Sequence, residues 1–214
     1  MTGQLFETVE APLVSLEPGA VLLRGFALAQ DAALVACVHE VVAHAPWRRM
    51  VTPGGLQMSV AMTNCGTLGW VSDRGGYRYA ALDPVSGRPW PAMPAAFVAL
   101  ASSAAGCAGF AGFDPDVCLV NRYQAGTSLS LHQDRDEQDY AHPIVSVSLG
   151  IGAVFLFGGS KRSDRPMRVR LEHGDVAVWG GPARLRYHGV LPLEEGTHPL
   201  TGTQRFNLTF RKAA

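Results

Sequence analysis

From residue 117 to the C-terminus the sequence repeats one short unit: four to seven strand-like residues, then a break often marked by Gly or Gly-Asp. Runs of this kind occupy 117–123, 144–149, 153–157, 168–171, 176–179, 185–188 and 205–211. Side chains alternate between the two faces of a strand, so each run carries one face pattern. Short strands at this spacing build a β-sandwich or a jelly roll. The 24 glycines and 14 prolines suit such a turn-rich architecture better than a helical bundle. Upstream, Asp31 is placed to cap a helix through 32–38 that Pro46 limits, and an Ala-rich stretch at 94–108 predicts a second helix ending near Gly109. Residues 47–91 are rich in Gly and aromatics without sustained periodicity; long irregular segments of this type commonly form lids. The expected molecule is one compact α+β, mainly β domain. It has an N-terminal arm and helix (1–46, with 1–29 irregular except for a strand at 20–23), a lid (47–91), and a helix plus double-stranded β-helix (jelly-roll) core (92–214).

Formal net charge is zero, so no global field draws in a polyanion and any nucleic-acid partner must rest on a local patch. The first ten residues lack a cationic segment followed by an apolar run, and no apolar stretch reaches bilayer-spanning length. A cytoplasmic monomer without membrane contact is expected. Cys37, Cys65, Cys107 and Cys118 are scattered with no C-x-x-C pair, and all four read as small core residues in a reducing compartment.

The chemistry begins at His132-Gln133-Asp134. On a strand, positions i and i+2 share a face. Two ligands there, joined by a histidine from a distant strand, can form the two-histidine, one-carboxylate triad that holds Fe(II) and leaves positions for substrate and oxygen. H-x-D alone is a weak signal. Of the other histidines, His39 and His44 lie on the first helix, His142 adjoins Pro143, His173 precedes a Gly-Asp turn and His198 sits in a loop beside Pro199. Each reads as structural or solvated. His188 lies on a run shortly before the final strand.

That final strand separates its faces: Phe206, Leu208 and Phe210 on one side, Arg205, Asn207, Thr209 and Arg211 on the other. By pattern alone it reads as an edge strand with one face in solvent. Two arginines and an asparagine on one face also suit a dicarboxylate, because guanidinium binds carboxylate through paired, charge-assisted hydrogen bonds. Iron beside a dicarboxylate is what a 2-oxoglutarate-dependent dioxygenase requires.

These motifs together resemble one family. Asn121-Arg122-Tyr123, Leu131-His132-Gln133-Asp134, His188 and Arg205-Phe206-Asn207-Leu208-Thr209-Phe210-Arg211 are similar to the AlkB family of Fe(II)- and 2-oxoglutarate-dependent dealkylating dioxygenases. The likeness extends to Met50-Val51-Thr52-Pro53-Gly54-Gly55, to Met58-Ser59-Val60-Ala61-Met62-Thr63-Asn64-Cys65-Gly66 and to Leu68-Gly69-Trp70, which resemble that family's nucleotide-recognition lid. It covers about 47–211.

The resemblance implies iron held by His132, Asp134 and His188. It implies 2-oxoglutarate held by Asn121, Tyr123, Arg205, Asn207 and Arg211, with Arg205 and the Tyr123 hydroxyl on the far carboxylate, Arg211 nearer the keto-acid end, and Leu119 and Trp179 along the wall. For substrate it implies a damaged base stacked between Trp70 and His132. Asp136 faces the base's exocyclic amine and joins the catalytic set, while Met62, Tyr77 and Thr52 line the pocket. An N-alkylated adenine or cytosine is cationic, which suits indole stacking worth roughly 0.5–2 kcal/mol. Lys161, Arg162, Arg165, Arg168 and Arg170 stand against Asp164 in one ten-residue stretch, with Arg162 nearest the pocket in role; Arg48-Arg49, Arg74 and Arg78 add charge on the lid. Such a patch can position phosphates. The implied activity is oxidative demethylation of N1-methyladenine or N3-methylcytosine lesions, using Fe(II), 2-oxoglutarate and O2 and releasing formaldehyde, succinate and CO2. The implied partner is single- or double-stranded alkylated DNA, with RNA open. Two rivals remain at this point: a dioxygenase of the same core acting on protein or small molecules, and a non-catalytic jelly-roll binding module.

Overall fold

The computed structural model describes residues 12–214; the first part of the arm lies outside the described residues. Two antiparallel sheets face each other. The large sheet runs in the order β1 (Leu13–Glu17), β2 (Ala20–Leu23), β11 (Val176–Trp179), β8 (Ile144–Gly150), β13 (Arg205–Arg211), β6 (Val117–Tyr123) and β3 (Ala61–Gly66). The small sheet runs β10 (Met167–Leu171), β9 (Ala153–Phe157), β12 (His188–Val190) and β7 (Leu129–His132). A separate hairpin pairs β4 (Gly69–Asp73) with β5 (Gly76–Ala80). Helices α1 (Asp31–His44) and α2 (Ala95–Cys107) complete an α+β, mainly β jelly roll.

The alternating pattern of β8 explains the layering. Val145, Val147 and Leu149 join a core with Leu34 and Val38 of α1 and Phe97, Leu100 and Ala104 of α2. Ser146 and Ser148, on the opposite face, are also buried, but Ser146 lines the cavity between the sheets and Ser148 Oγ accepts from Arg205. Alternation here separates an apolar core from an internal polar cavity, not core from water.

The same logic overturns the edge-strand expectation for β13. It lies centrally between β6 and β8, and all seven of its residues are buried. Phe210 packs edge-to-face on Phe97, and Phe206 stacks on Trp47, both at 5.8 Å. Each such burial contributes about 1.5–3 kcal/mol. The polar set, Arg205 to Arg211, is withdrawn from bulk solvent by the facing small sheet.

Other expectations need correction. Residues 185–188 do not form a strand: a 3-10 turn at Gly181–Ala183 precedes an irregular crossing, and pairing begins only at His188. The buried Arg184 side chain ties that crossing inward through the carbonyls of His142 and Asp134. Asp31 does not cap α1 but is its first residue, and its carboxylate also meets His173 Nε2 at 2.8 Å. Leu13–Glu17, expected to be irregular, pairs with β2. Cys65 and Cys118 are buried register partners, whereas Cys37 is half-buried and Cys107, at the end of α2, is exposed. No helix among the described residues is long and apolar enough to cross a membrane.

Within 47–91, Ala61–Gly66 is hydrogen-bonded into the large sheet, while the 69–80 hairpin stands beside it. Asn64 clasps the hairpin: its Oδ1 accepts from Trp70 N and its Nδ2 donates to Trp70 O, both at 3.0 Å. Gly69 makes the seat possible, since a Cβ there would lie 2.3 Å from the Trp90 indole.

Candidate active site

Between the two sheets lies a cavity of about 650 Å³, and all sixteen candidate residues named above line it. Some line it from the hairpin and its flanking loop (Thr52, Trp70, Tyr77), others from the large sheet (Met62, Leu119, Asn121, Tyr123, Trp179, Arg205, Asn207, Arg211). His132 and His188 come from the small sheet, Asp134 and Asp136 from the loop after β7, and Arg162 from the β9–β10 connection.

His132 is the last residue of β7, and Asp134 lies beyond the strand end, so simple strand alternation is not what joins them. His188 pairs with His132 in register, which sets the two rings 4.4 Å apart. Asp134 Oδ1 is 3.6 Å from His132 Nε2, and its Oδ2 is 3.7 Å from His188 Nε2. One donor atom from each residue falls within 4.8 Å of the others. Two donors each about 2.1 Å from a divalent ion stand roughly 3–4 Å apart, so the spacing fits one ion.

The protonation pattern fits as well. His132 Nδ1 lies 2.9 Å from Ser130 O and His188 Nδ1 lies 3.0 Å from Arg186 O. Each Nδ1–H therefore donates to a backbone carbonyl, and both Nε2 atoms lie on the side of the Asp134 carboxylate. Burial, reinforced by His132, pushes the His188 imidazole down to about 4, so it is neutral near pH 7. Burial opposes charge on Asp134, but Arg211 and the two histidines outweigh it and hold the carboxyl well below its usual range. Arg211 donates to Asp134 Oδ2 from Nε at 3.0 Å and Nη2 at 2.7 Å, leaving Oδ1 for an ion.

Arg205 tests the fit for a diacid. Arg205 is 1% exposed, and its guanidinium sits 4.9 Å over the Tyr123 ring and donates Nη2 to Ser148 Oγ at 3.0 Å. Among the described residues its Nε and Nη1 are buried without a partner, as are Arg211 Nη1 and Asn121 Oδ1. A buried cation with no counter-ion is costly and calls for an anion. A dicarboxylate is an anion of the kind that these donors would bind. Asn207 is fixed by Ser146 Oγ, Val147 O and Thr209 Oγ1, and accepts from Asn121 Nδ2 at 3.3 Å. Trp179 packs against His188, ring centroids 4.9 Å apart.

On the hairpin side, Trp70 stacks on Tyr77 at 5.6 Å and donates Nε1 to Asp136 Oδ2 at 2.8 Å. Asp136 is thus tied to the indole through one oxygen. Met62 is 2% exposed, packing in the core and touching the cavity together. Several basic residues are already committed: Arg170 to Glu172 and Glu194, Arg78 to Asp73, and Arg48 to Asp83. Lys161, Arg162, Arg165 and Arg168 are exposed and make no ion pair among the described residues. Sequence reasoning missed Asn64, Tyr79, Glu137, Ser146, Ser148 and Arg184. Asn64 lies within the 58–66 motif but was given no role, the other five carry no motif, and Glu137 sits in an acidic run that reads as solvated although it is 6% exposed.

The sequence model of the 2OG-Fe(II) oxygenase superfamily matches residues 19–211. The "Alpha-ketoglutarate-dependent dioxygenase AlkB" of Salmonella typhimurium is 58% identical over 199 residues, covering 93% of this chain and 92% of the relative. The protein of that name from Escherichia coli is 55% identical over 209 residues, covering 98% and 97%. A solved structure described as that of OsALKBH1 superposes with a TM-score of 0.82 at 31% identity, covering 94% of this chain and all of the other. A donor set built for a ferrous ion, a guanidinium lacking its anion and likeness along almost the whole chain lead to one conclusion: the chain belongs to the AlkB family within the 2OG-Fe(II) oxygenase superfamily and is an Fe(II)- and 2-oxoglutarate-dependent dioxygenase.

Proposed function

We propose that the enzyme repairs alkylated DNA by oxidative demethylation of N1-methyladenine and N3-methylcytosine lesions. The observation carrying this reading is that Trp70, with its indole tied to an acid, shares one cavity with the His132, Asp134 and His188 triad. Iron and 2-oxoglutarate, when bound, supply an oxidant from O2 with release of CO2 and succinate. The protein's own contribution is binding, orientation and exclusion of water.

In this reading His132, Asp134 and His188 hold the ion. Arg205 and Tyr123 hold the far carboxylate of 2-oxoglutarate, Arg211 neutralises its keto-acid end, and Asn121, Asn207, Leu119 and Trp179 shape the remainder of that site. The 47–91 segment acts as the lid. A base extruded from the strand stacks on Trp70, with the His132 ring on its other side. Asp136 Oδ1, left over from the indole bond, faces the exocyclic amine, and the anion favours a cationic damaged base over a neutral intact one. Met62, Tyr77 and Thr52 enclose the base. Hydroxylation of the N-methyl carbon leaves an unstable N-hydroxymethyl group, which releases formaldehyde and the intact base.

The deciding experiment measures succinate formation with Fe(II) and 2-oxoglutarate, coupled to mass-spectrometric loss of the methyl group from a 1-methyladenine oligonucleotide. Chelator, methylated RNA, peptide and unmodified-DNA arms accompany it. Methyl loss only from peptide, or no chelator sensitivity, ends the proposal. Trp70→Ala is expected to weaken binding of the methylated oligonucleotide by about 5–150-fold, the value of about 1–3 kcal/mol of base stacking. An unchanged dissociation constant would remove Trp70 from the base site.

Lys161, Arg162, Arg165 and Arg168 extend from the cavity lining at Arg162 along an exposed loop and strand edge. They suit the phosphates of the strand that delivers the base. Replacing all four with alanine is expected to weaken methylated and unmodified oligonucleotides alike. It should also flatten the plot of log K against log salt on single strands, by about 0.7 for each phosphate that is no longer neutralised. An unchanged salt slope would show that these cations touch no phosphate.

A further inference from the structure

Three residues past Asp134, Glu137 is buried at the junction of two arginines and the hairpin. Its side chain is 1% exposed. Its Oε2 lies 3.1 Å from Arg184 Nη2 and its Oε1 lies 3.4 Å from Arg211 Nε. Both arginines then reach Asp134: Arg211 through the carboxylate Oδ2, and Arg184 through Nη1 to the backbone carbonyl at 2.7 Å. Glu137 is therefore the acid that these two arginines share, and together they fix Asp134 at side chain and main chain. Two guanidinium groups and two carboxylates leave the buried cluster neutral.

The other partner of Glu137 comes from the hairpin. Tyr79 of β5 donates its hydroxyl to Oε1 at 2.7 Å. Tyr79 is the cross-strand register partner of Trp70, which itself donates to Asp136. Two paired residues of the hairpin thus grip two successive acids in the loop that carries Asp134. The Tyr79 phenol is driven up by burial and so remains a donor.

We propose that Glu137 is a positioning residue that sets the ion-holding carboxylate of Asp134 through Arg211 and Arg184. We propose further that its bond from Tyr79 makes this setting depend on the hairpin being seated. Ion binding and substrate binding are then linked, and by thermodynamic reciprocity each strengthens the other by the same factor. Glu137 touches no reacting atom in this scheme. The inference rests on the ion site and base-stacking hairpin described above.

The test uses the full chain, with Mn(II) as probe ion and a 1-methyladenine oligonucleotide as probe ligand. Isothermal titration gives the affinity of each alone and in the presence of the other. The wild-type protein is expected to bind the oligonucleotide about 5-fold or more tightly with Mn(II) present. In Tyr79→Phe each affinity alone should stay within about 3-fold, while the mutual enhancement falls to about 1. Glu137→Gln should weaken Mn(II) by about 10–100-fold, the usual cost of losing an outer partner of a ligand, and shift the visible absorption of the Co(II)-loaded protein. Glu137→Asp gives the same two readings should the glutamine variant fail to fold. Enhancement that survives in Tyr79→Phe overturns the link to the hairpin. Unchanged Mn(II) affinity and Co(II) absorption in the Glu137 variants overturn the positioning role. If the wild type binds neither probe, the ion and base sites fall, and this inference with them.

Discussion

His132→Ala is expected to lower Mn(II) affinity and succinate formation by more than about 100-fold, since even outer partners of metal ligands cost about 10–100-fold. The fold should survive. The His132 side chain is about a third exposed and caps the end of a short strand, so its removal leaves no large void in the core. The metal-free melting temperature should move by no more than about 4 °C, equivalent to roughly 1 kcal/mol in a domain this size. Titration calorimetry and a thermal melt on the same preparation separate the two effects. Retained Mn(II) affinity would mean that the ion sits elsewhere, whatever the approach of the three side chains.

The second large effect concerns Arg205→Leu. Removing one partner of a buried charge pair typically costs about 3–5 kcal/mol, so 2-oxoglutarate affinity should fall by at least ~100-fold. The metal-free, 2-oxoglutarate-free protein should melt at the same temperature or higher. In that state Arg205 is a buried cation that, among the described residues, has two unpartnered donor nitrogens, with Ser148 Oγ and the Tyr123 ring beside it. Burial already pulls its guanidinium below the usual arginine range. Added 2-oxoglutarate should therefore raise the melting temperature of the wild type and leave that of the variant where it was. A variant that loses stability without ligand and keeps its response to 2-oxoglutarate would show that Arg205 supports the sheet instead of the diacid.

Both effects trace to features that were legible in the chain to different degrees. The strand at 205–211 was legible as a strand with two chemically distinct faces, and its boundaries agree with those observed. Its place in the sheet was not legible. Period-two alternation says only that the faces differ, and an edge strand facing water gives the same letters as a central strand facing a closed polar cavity. Only the small sheet lying opposite distinguishes them. The 117–123 and 153–157 strands were readable for the same reason, being long enough to display their pattern. Residues 185–187 were misread as strand because Leu185, Arg186 and Tyr187 mimic alternation, while Arg184 draws the chain inward through carbonyls remote in sequence.

The candidate site divides in the same way. Local spacing marked His132 and Asp134, the face pattern of the last strand marked Arg205 and Arg211, and family likeness marked His188. Nothing local marked Glu137 or Tyr79. An acid within Asp134-Arg135-Asp136-Glu137 reads as solvated, and its burial is created by Arg184, Arg211 and a hairpin residue 58 positions earlier.

The sequence by itself determined the strand-rich class and the ligand types, and its motifs carried the family resemblance that implies oxygenase chemistry. Residue identity and short-range periodicity belong to the chain wherever it folds. Tertiary structure alone decided which charges lack partners, which face of each strand is wet and how the hairpin reaches the ion-holding carboxylate. Burial and electrostatic pairing depend on what lies across the cavity, and a linear order of residues does not contain that distance.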